Sequence, residues 1–170
     1  MRVFGIDCGT NCTGYGVVDA HAGARETRLR AVAAGGLKLA KTQPLPLRLA
    51  YIYGELLSLL EAHRPDVVAV EGVFYSVNAK SALKLGHVRG VALLAAAVHG
   101  VPVAEYAPLA IKSAVVGYGL AQKAQVQFMV ARLLNLEAAP EPADAADALA
   151  IAICHANTAQ TLILQAESRA

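Results

Sequence analysis

The sequence predicts an α/β domain with a mixed sheet, in which an antiparallel meander precedes parallel strands and helices flank the sheet. Two observations lead to this class. Strand-like segments follow one another directly before the first helical pattern, and helical and strand-like segments alternate after it. Strands joined by tight turns pair antiparallel, whereas strands joined through a helix pair parallel. The chain of 170 residues is 56% hydrophobic and 16% charged, which supplies a sizeable core and excludes disorder of the whole chain.

The N-terminal strands are predicted from three short segments. Residues 3–7 and 15–18 are apolar runs separated by a turn rich in Gly, Thr and Asn, which is typical of a hairpin. Residues 28–33 alternate charged with small or apolar side chains, which predicts a third antiparallel strand. Gly35 and Gly36 are expected to interrupt that strand or to form a bulge in it.

The later segments alternate between helical and strand-like patterns. The predicted elements are a helix over residues 48–63, a strand over 66–71, a helix over 78–99, a strand over 101–106 and helices over 108–115, 122–134 and 143–157. The run 66–71 is apolar and lies between two helical patterns, as expected of a central strand buried on both faces. We predict a single domain over residues 1–158 and a flexible tail over residues 159–170.

Composition and charge narrow the classes of function. Mean hydropathy is +0.45, but apolar runs look shorter than the roughly 20 residues that cross a bilayer, so no membrane association is expected. The N-terminus lacks the basic start and long apolar stretch of a secretion signal, which predicts the cytoplasm. Net charge is +2, but residues 75–136 carry six basic side chains and one acidic one. That local excess could attract a polyanion.

Four carboxylates are the candidates for chemistry. Asp7 and Glu71 each end an apolar strand, and if those strands are parallel neighbours, both acids emerge at the sheet edge where α/β folds bind ligands. Asp144 and Asp147 are spaced i, i+3 and share one face near the start of the last helix. Two like charges about 4 Å apart repel by roughly 4 kcal/mol at an effective dielectric constant of 20, so such a cluster requires protons or cations. Oxygen ligands select hard ions such as Mg²⁺ or Mn²⁺.

Each acid taken alone also has a structural interpretation. Asp144 or Asp147 could be a first-turn acid favoured by the helix dipole, and Asp7 could form the turn after its strand. Glu71 has no turn-forming property, which makes it the most informative of the four.

Four sequence motifs resemble those of a known family. They are GIDCGTNCTGYGVV from Gly5, VAVEGVFYSVNAKSALKLGHVRG from Val68, EYAPLAIKSAVVGYGLAQKAQVQFMV from Glu105 and DAADALAIAICHA from Asp144. Through them the chain resembles, over nearly its whole length, the RuvC family of Holliday-junction resolvases, which have the RNase H-like fold.

The resemblance implies a crossover junction endodeoxyribonuclease that cuts four-way DNA symmetrically in recombination and repair, leaving 5′-phosphate and 3′-hydroxyl ends. It implies that Asp7, Glu71, Asp144 and Asp147 are catalytic and hold two Mg²⁺ ions, with Mn²⁺ as a substitute, and it adds Lys123 to the catalytic residues. It also implies a homodimer and partnership with the RuvA and RuvB branch-migration complex.

DNA contacts are predicted from the same resemblance and from the local charge. Lys112 and Lys123 match basic residues near the family's active site, and Phe74 would stack on a base at the opened crossover. The full set of predicted contacts is Phe74, Tyr75, Lys80, Lys84, Arg89, Lys112 and Lys123. A solvated surface for the basic residues and a core position for Phe74 are the structural alternatives.

Several positions leave alternatives open. Cys8 stands where the family usually has proline, and this could change the rigidity of the turn. His155 and His87 are treated as structural, although His87 could touch DNA. Gly86 and Gly90 would permit close helix approach, either at a dimer contact or against the sheet of the same subunit.

Three other functions compete with junction resolution. The segment from Asp7 also resembles the phosphate loop of ATP-dependent kinases and actin-like proteins, but those proteins need two such domains and nothing here repeats that segment. A junction-binding module without catalysis would need only the basic stretch, and the four acids argue against it. A less selective nuclease of the same fold, for example one acting on RNA in hybrids, is the third alternative.

Overall fold

The computed structural model describes residues 1–21, 23, 27–72 and 79–167, and in them a five-stranded mixed sheet is covered by helices on both faces. The strands are β1 (Arg2–Asp7), β2 (Cys12–His21), β3 (Arg28–Lys38), β4 (Val67–Glu71) and β5 (Val103–Tyr106). The helices are α1 (Leu45–His63), α2 (Ala79–His99), α3 (Pro108–Val116), α4 (Lys123–Leu133) and α5 (Ala143–Glu167).

The strand order is β3-β2-β1-β4-β5. Strand β2 pairs antiparallel with both β1 and β3, whereas β4 pairs parallel with both β1 and β5. This confirms the predicted α/β class with a mixed sheet, because the strands joined by turns are antiparallel and those joined through helices are parallel.

The central strands alternate between two separate cores. In β4, Ala69 packs with residues of α3, α4 and α5, whereas Val68 and Val70 pack with residues of α1 and α2. All three side chains are fully buried. Strand β4 is therefore the doubly covered central strand that its continuous apolar run predicted.

Glycines in β1 and β2 set how closely α5 approaches the sheet. A Cβ atom at Gly5 would lie 2.0 Å from the carbonyl oxygen of Ala148, and one at Gly14 would lie 2.0 Å from that of Asp144. Gly14 is also the cross-strand partner of Asp7. Because no side chain separates the two backbones here, the first turn of α5 lies directly against the strand ends that carry Asp7.

Strand β3 is longer than the sequence predicted. It runs through Gly35 and Gly36 without interruption, and its register shift lies earlier, opposite Val17 and Val18 of β2, where Val32 of β3 is the extra residue. Glycine occupies position 35 for a different reason: a Cβ atom there would lie 2.7 Å from the hydroxyl oxygen of Tyr15 on the neighbouring strand. The glycine makes room for a cross-strand ring rather than ending the strand.

Helix α5 also exceeds its prediction. The domain boundary predicted at residue 158 falls inside this helix, whose backbone continues to Glu167. The hydroxyl groups of Thr158 and Thr161 donate hydrogen bonds to the carbonyl groups of Cys154 and Asn157, which keeps these polar side chains within the helix. Flexibility of residues 159–170 stays a prediction.

Helix α2 is, within the described part of the chain, the one helix long and apolar enough to cross a membrane, with a mean hydropathy of 1.3. This differs from the expectation that every apolar run is shorter than a membrane span. Val88, Ala92 and Ala96 on this helix are buried in the core beneath β1 and β4. These contacts account for one side of the helix only, because 22% of its apolar stretch is buried and Leu83, Leu94 and Val98 are exposed.

Candidate active site

Asp7 and Glu71 meet at one edge of the sheet. They end the parallel neighbours β1 and β4, whose last paired residues are Ile6 and Val70. Both acids line a cavity of about 230 Å³, and Asp147 of α5 lines it as well. The predicted convergence of these three carboxylates is therefore present in the structure.

Asp144 lies beside this cavity, on the first turn of α5. It is close enough to Asp7 for its charge to raise the pKa of that carboxyl group. Burial and then the charge of Asp144 raise the pKa of the Cys12 thiol, and the backbone of Asp144 packs on Gly14. The fourth predicted acid thus joins the cluster from the β2 side.

The electrostatics of the cluster show crowding of negative charge. Burial and then the nearby carboxylates of Asp147, Glu71 and Asp144 together raise the pKa of Asp7 to about 7, while Lys123 opposes the shift. The pKa of Glu71 is also raised, first by burial and then by Asp147. At this pKa, Asp7 is only partly ionised at neutral pH, and a bound cation would favour its ionised form.

Lys123 supplies part of that positive charge from the chain itself. It is the first residue of α4, and its ammonium group lies 2.5 Å from a carboxylate oxygen of Asp147. This hydrogen bond raises the pKa of Lys123. Gln122 and Gln125 form a capping box at the start of the helix, which fixes the backbone that carries the lysine.

Lys112 reaches the same cavity from α3. Its positive charge opposes the rise in the pKa of Glu71. The two lysines predicted to lie near the reacting phosphate therefore border the carboxylates from two different helices.

The donor set suits a hard divalent cation. It consists of carboxylate oxygens, which Mg²⁺ and Mn²⁺ prefer, and burial among like charges favours uptake of a cation. Across residues 1–21, 23, 27–72 and 79–167, no three Asp, Glu, His or Cys side chains already form a metal cage. Sharing one ion would require Lys123 to release Asp147 and the carboxylates to move closer together.

Cys8 faces away from the carboxylates. Its side chain packs against the core formed with α1 and α2, and burial raises the pKa of its thiol to about 12. The thiol is therefore neutral at physiological pH. The residue contributes an uncharged, partly buried side chain beside this core.

Arg89, a predicted DNA contact, points into the chain. Its guanidinium group donates hydrogen bonds to the carboxylate of Glu105 and, at 3.3 Å, to the backbone carbonyl of Glu71. The side chain is only 16% exposed. These contacts attach α2 to the ends of β4 and β5, and the donors they use are not directed at solvent.

The other predicted contacts on this side fall into two groups. Lys80, Lys84 and His87 are exposed on α2. Phe74 and Tyr75 lie outside the described residues, so their predicted roles stay predictions.

His155 has a structural partner. Its Nδ1 atom lies 2.8 Å from the hydroxyl oxygen of Tyr106, the two rings pack edge to face, and burial lowers its pKa. These contacts agree with the structural role expected for it.

Arg48, at the start of α1, is a further polar residue near the site that was not among the predicted residues. The residue lies one helical turn before Ile52 and continues the buried stripe of Ile52, Leu56 and Leu60. A charged residue on an apolar stripe must find a partner, and this was the available signal. Its guanidinium group donates a hydrogen bond to the carbonyl oxygen of Thr10, in the loop that follows Asp7.

Comparison with known proteins identifies the family of this chain. The family model described as crossover junction endodeoxyribonuclease RuvC matches residues 3–155. The chain belongs to the RuvC family. A curated RuvC of Acidobacterium capsulatum is 66% identical over 97% of this chain and 98% of its own length, and that of Koribacter versatilis is 62% identical over 95% and 96%. The predicted family membership is confirmed.

Solved RuvC structures share the fold. RuvC of Thermus thermophilus is 38% identical with a TM-score of 0.86, and the complex of T. thermophilus RuvC with a Holliday junction substrate is 37% identical with a TM-score of 0.85. Each comparison covers 95% of this chain and 96% of the other. The yeast mitochondrial Holliday junction resolvase Ydc2 has a TM-score of 0.63 at 15% identity, which shows likeness of fold alone. The predicted RNase H-like architecture is confirmed, and nucleases of the RuvC family depend on divalent metal ions.

Proposed function

We propose that this chain is a structure-selective endonuclease that resolves four-way DNA junctions in recombination and repair by hydrolysing phosphodiester bonds. The observation that supports this most directly is the cavity where Asp7, Glu71 and Asp147 meet, with Lys112 and Lys123 beside them. A cluster of acids next to two lysines suits a phosphate held together with cations. Membership of the RuvC family supplies the junction as the substrate class.

The four acids would hold two Mg²⁺ ions, with Mn²⁺ as an alternative. When bound, the ions supply a water nucleophile at neutral pH and stabilise negative charge on the leaving oxygen. The contribution of the chain is placement: β1 and β4 fix Asp7 and Glu71, and the first turns of α5 bring Asp144 and Asp147 to them. Cleavage in this arrangement leaves 5′-phosphate and 3′-hydroxyl ends.

In this proposal, Lys123 and Lys112 contact the phosphate directly, whereas the acids act on it through the bound cations. Lys123 pairs with Asp147, and its side chain is 60% exposed, so it can turn toward an incoming phosphate at low cost. Lys112 lines the opposite wall of the cavity on α3. In the proposal both lysines bind non-bridging oxygens of the scissile phosphate or of its neighbours.

A homodimer would present two such sites to the two cleaved strands. Helix α2 carries large apolar side chains that are more than half exposed, and they are Leu83, Leu94 and Val98. Apart from its chain neighbours and the nearby backbone of α2 itself, no described atom of the same chain lies within 4 Å of a Cβ atom built at Gly86 or Gly90. This favours a subunit contact over packing within the subunit as the reason for the two glycines.

Two further parts of the proposal come from the family alone. They are partnership with the RuvA and RuvB branch-migration complex and location in the cytoplasm.

The proposed function is tested by comparing three substrates. The protein is incubated with a synthetic four-way junction, a linear duplex of the same sequence and an RNA/DNA hybrid, each with Mg²⁺ or with EDTA. We expect paired nicks in strands of like polarity, in the junction only and with Mg²⁺ only. Glu61→Gln serves as the control, because this acid is exposed on α1 and remote from the cavity.

Each alternative function has its own outcome in this experiment. Equal cutting of the hybrid would favour the less selective nuclease. Tight junction binding without cutting in either Mg²⁺ or Mn²⁺ would favour a binding module.

A further inference from the structure

A second cavity of about 220 Å³ lies on the side of the sheet covered by α1 and α2. We call it the cationic cavity. Its described lining residues are Thr10, Leu39, Leu45, Arg48, Leu49, Ile52, Lys84 and Val88. Two of these side chains are cationic, and none of the described lining residues is acidic.

Arg48 lines this cavity, and its guanidinium group carries an unused donor, which the side chain would have to turn toward a bound ligand. One guanidinium nitrogen donates to the carbonyl oxygen of Thr10, but Nε is buried and has no hydrogen-bond partner among the described residues. A buried donor left without a partner is costly to the folded state, and more so when the group is charged. Such a group calls for an explanation, and a bound acceptor would provide one.

Lys84 adds a second positive charge to the same cavity from α2. Two cations that share a cavity without an acid repel each other, and an anion bound between them removes that repulsion. The remaining walls are aliphatic, which suits a ligand with an apolar part next to its charge. A phosphodiester with its deoxyribose has this composition.

The position of the cavity connects it with the carboxylates. Thr10 follows Asp7 by three residues, which span at most about 10 Å. One side of this short loop therefore belongs to the candidate active site, and the other belongs to the cationic cavity. A DNA strand rises about 3.4 Å per nucleotide, so the two places are a few nucleotides apart.

We propose that Arg48 and Lys84 together bind one backbone phosphate of the DNA strand, a few nucleotides from the phosphate that is cleaved. This inference rests on the proposed function and adds a binding site to it. Arg48 also holds the loop after Asp7 through Thr10, so occupation of the cavity fixes that loop. The cavity contributes to affinity and strand position and makes no base-specific contact.

The test measures junction binding without cleavage, in EDTA and in an Asp7→Asn background, as a function of KCl concentration. Lys84→Gln, Arg48→Gln and the double variant are compared. Each single variant is expected to weaken binding about tenfold and to reduce the slope of log K against log salt by about 0.9, the value for one phosphate. Since both side chains bind the same phosphate, the double variant should lose little more than either single one.

Arg64→Gln is the matched control. Arg64 immediately follows α1, is exposed, and lies about 24 Å from Arg48 along the helix axis. The substitution removes one positive charge at the far end of α1 and should leave the junction affinity and the salt slope unchanged. Lys84→Gln changes an exposed residue, so it keeps the test valid even if Arg48→Gln does not fold.

Four outcomes would overturn the inference. An unchanged salt slope in Lys84→Gln would remove Lys84 from the DNA interface, and fully additive losses in the double variant would mean two separate phosphates. A rise in Tm with 10 mM inorganic phosphate that is lost in Lys84→Gln, together with unchanged junction binding, would assign the cavity to free phosphate. An equal loss in Arg64→Gln would reduce the effect to net charge. Failure of the unsubstituted protein to bind or cut junctions would instead refute the proposed function.

Discussion

Two aspartates on the β1–β2 hairpin have opposite environments. Asp19 lies opposite Arg2 at one end of the hairpin, and Asp7 lies opposite Gly14 at the other. Asp19 accepts hydrogen bonds from Arg2 at 2.7 Å and Arg30 at 3.2 Å, and its pKa falls to about 2. Asp7 is surrounded by three acids, and its pKa rises to about 7.

The difference lies in the source of the neutralising charge. The chain provides two arginines for Asp19, so that carboxylate is neutralised as soon as the strands pair. For Asp7, the nearest cation that affects its pKa is Lys123, which already pairs with Asp147. A partly buried acid for which the chain supplies little countercharge is the kind of group that binds a ligand, whereas a fully paired acid stabilises the fold.

The largest expected effect is on cleavage by Asp7→Asn. Removal of this carboxylate takes away a proposed metal ligand, so junction cleavage should fall roughly a thousandfold or more. Junction binding in EDTA and the Tm should not fall, because the substitution also relieves repulsion among the acids. Single-turnover cleavage and electrophoretic binding assays measure the two effects. Cleavage retained at the original rate would remove Asp7 from the metal site.

The pH dependence of stability should have opposite signs at the two ends of the hairpin. When the pKa of a carboxyl group is higher in the folded state, its contribution to folding stability is complete below the pKa of the unfolded state, near 4. For Asp7 that contribution is lost as the pH rises through about 7. For Asp7 this loss is on the order of 4 kcal/mol in metal-free protein.

Thermal unfolding in EDTA from pH 4 to pH 8 measures this effect. The decline in Tm with rising pH should be smaller in Asp7→Asn than in the unsubstituted protein. An identical decline in both would show that Asp7 is not the group that titrates. Added Mg²⁺ should restore the Tm at pH 8, because a ligand that binds only the folded state stabilises it.

Lys123→Gln should slow cleavage about tenfold to a hundredfold, because it removes a positive charge beside the reacting phosphate. It should also raise the pKa of Asp7 in metal-free protein, since Lys123 lowers that pKa. Carboxyl-carbon NMR titration in EDTA detects this second effect. A change in cleavage without any movement of the Asp7 titration would place the lysine on the DNA and away from the acids.

Asp19→Asn should have the smallest effect and act on stability alone. Loss of the charge that pairs with two arginines should cost about 1 to 2 kcal/mol at pH 7. The folded pKa of Asp19 is depressed, so its contribution is present above pH 4 and is lost as pH falls toward 2. Urea unfolding at pH 7 and at pH 3 measures the difference, and cleavage per folded molecule should not change.

The sequence predicted the carboxylates better than their partners. Asp7 and Glu71 could be found because each ends an apolar strand, and Asp144 and Asp147 because helical spacing places them on one face. The ion pair of Lys123 with Asp147 joins residues 24 apart in sequence, and no local pattern encodes that distance. The same applies to the guanidinium of Arg48, whose acceptor at Thr10 is 38 residues away.

The element boundaries were missed for similar reasons. Glycine is locally typical of a strand break, but Gly35 lies inside β3, where it leaves room for the ring of Tyr15 on the neighbouring strand. The last turns of α5 carry Leu162, Ile163 and Leu164, all about half exposed, so no buried stripe marked them as helical. Local pattern predicts which segments exist, and contacts distant in sequence decide where they end.

The spacing of the acids depends on glycines at the contact between α5 and the sheet. A methyl group at Gly5, Gly14 or Gly16 would collide with the backbone or side chain of α5 and push the helix outward. Asp144 and Asp147 travel with that helix, while Asp7 and Glu71 stay on the strands. The absence of a side chain at these three glycines therefore sets the distance between the two pairs of acids in the candidate active site.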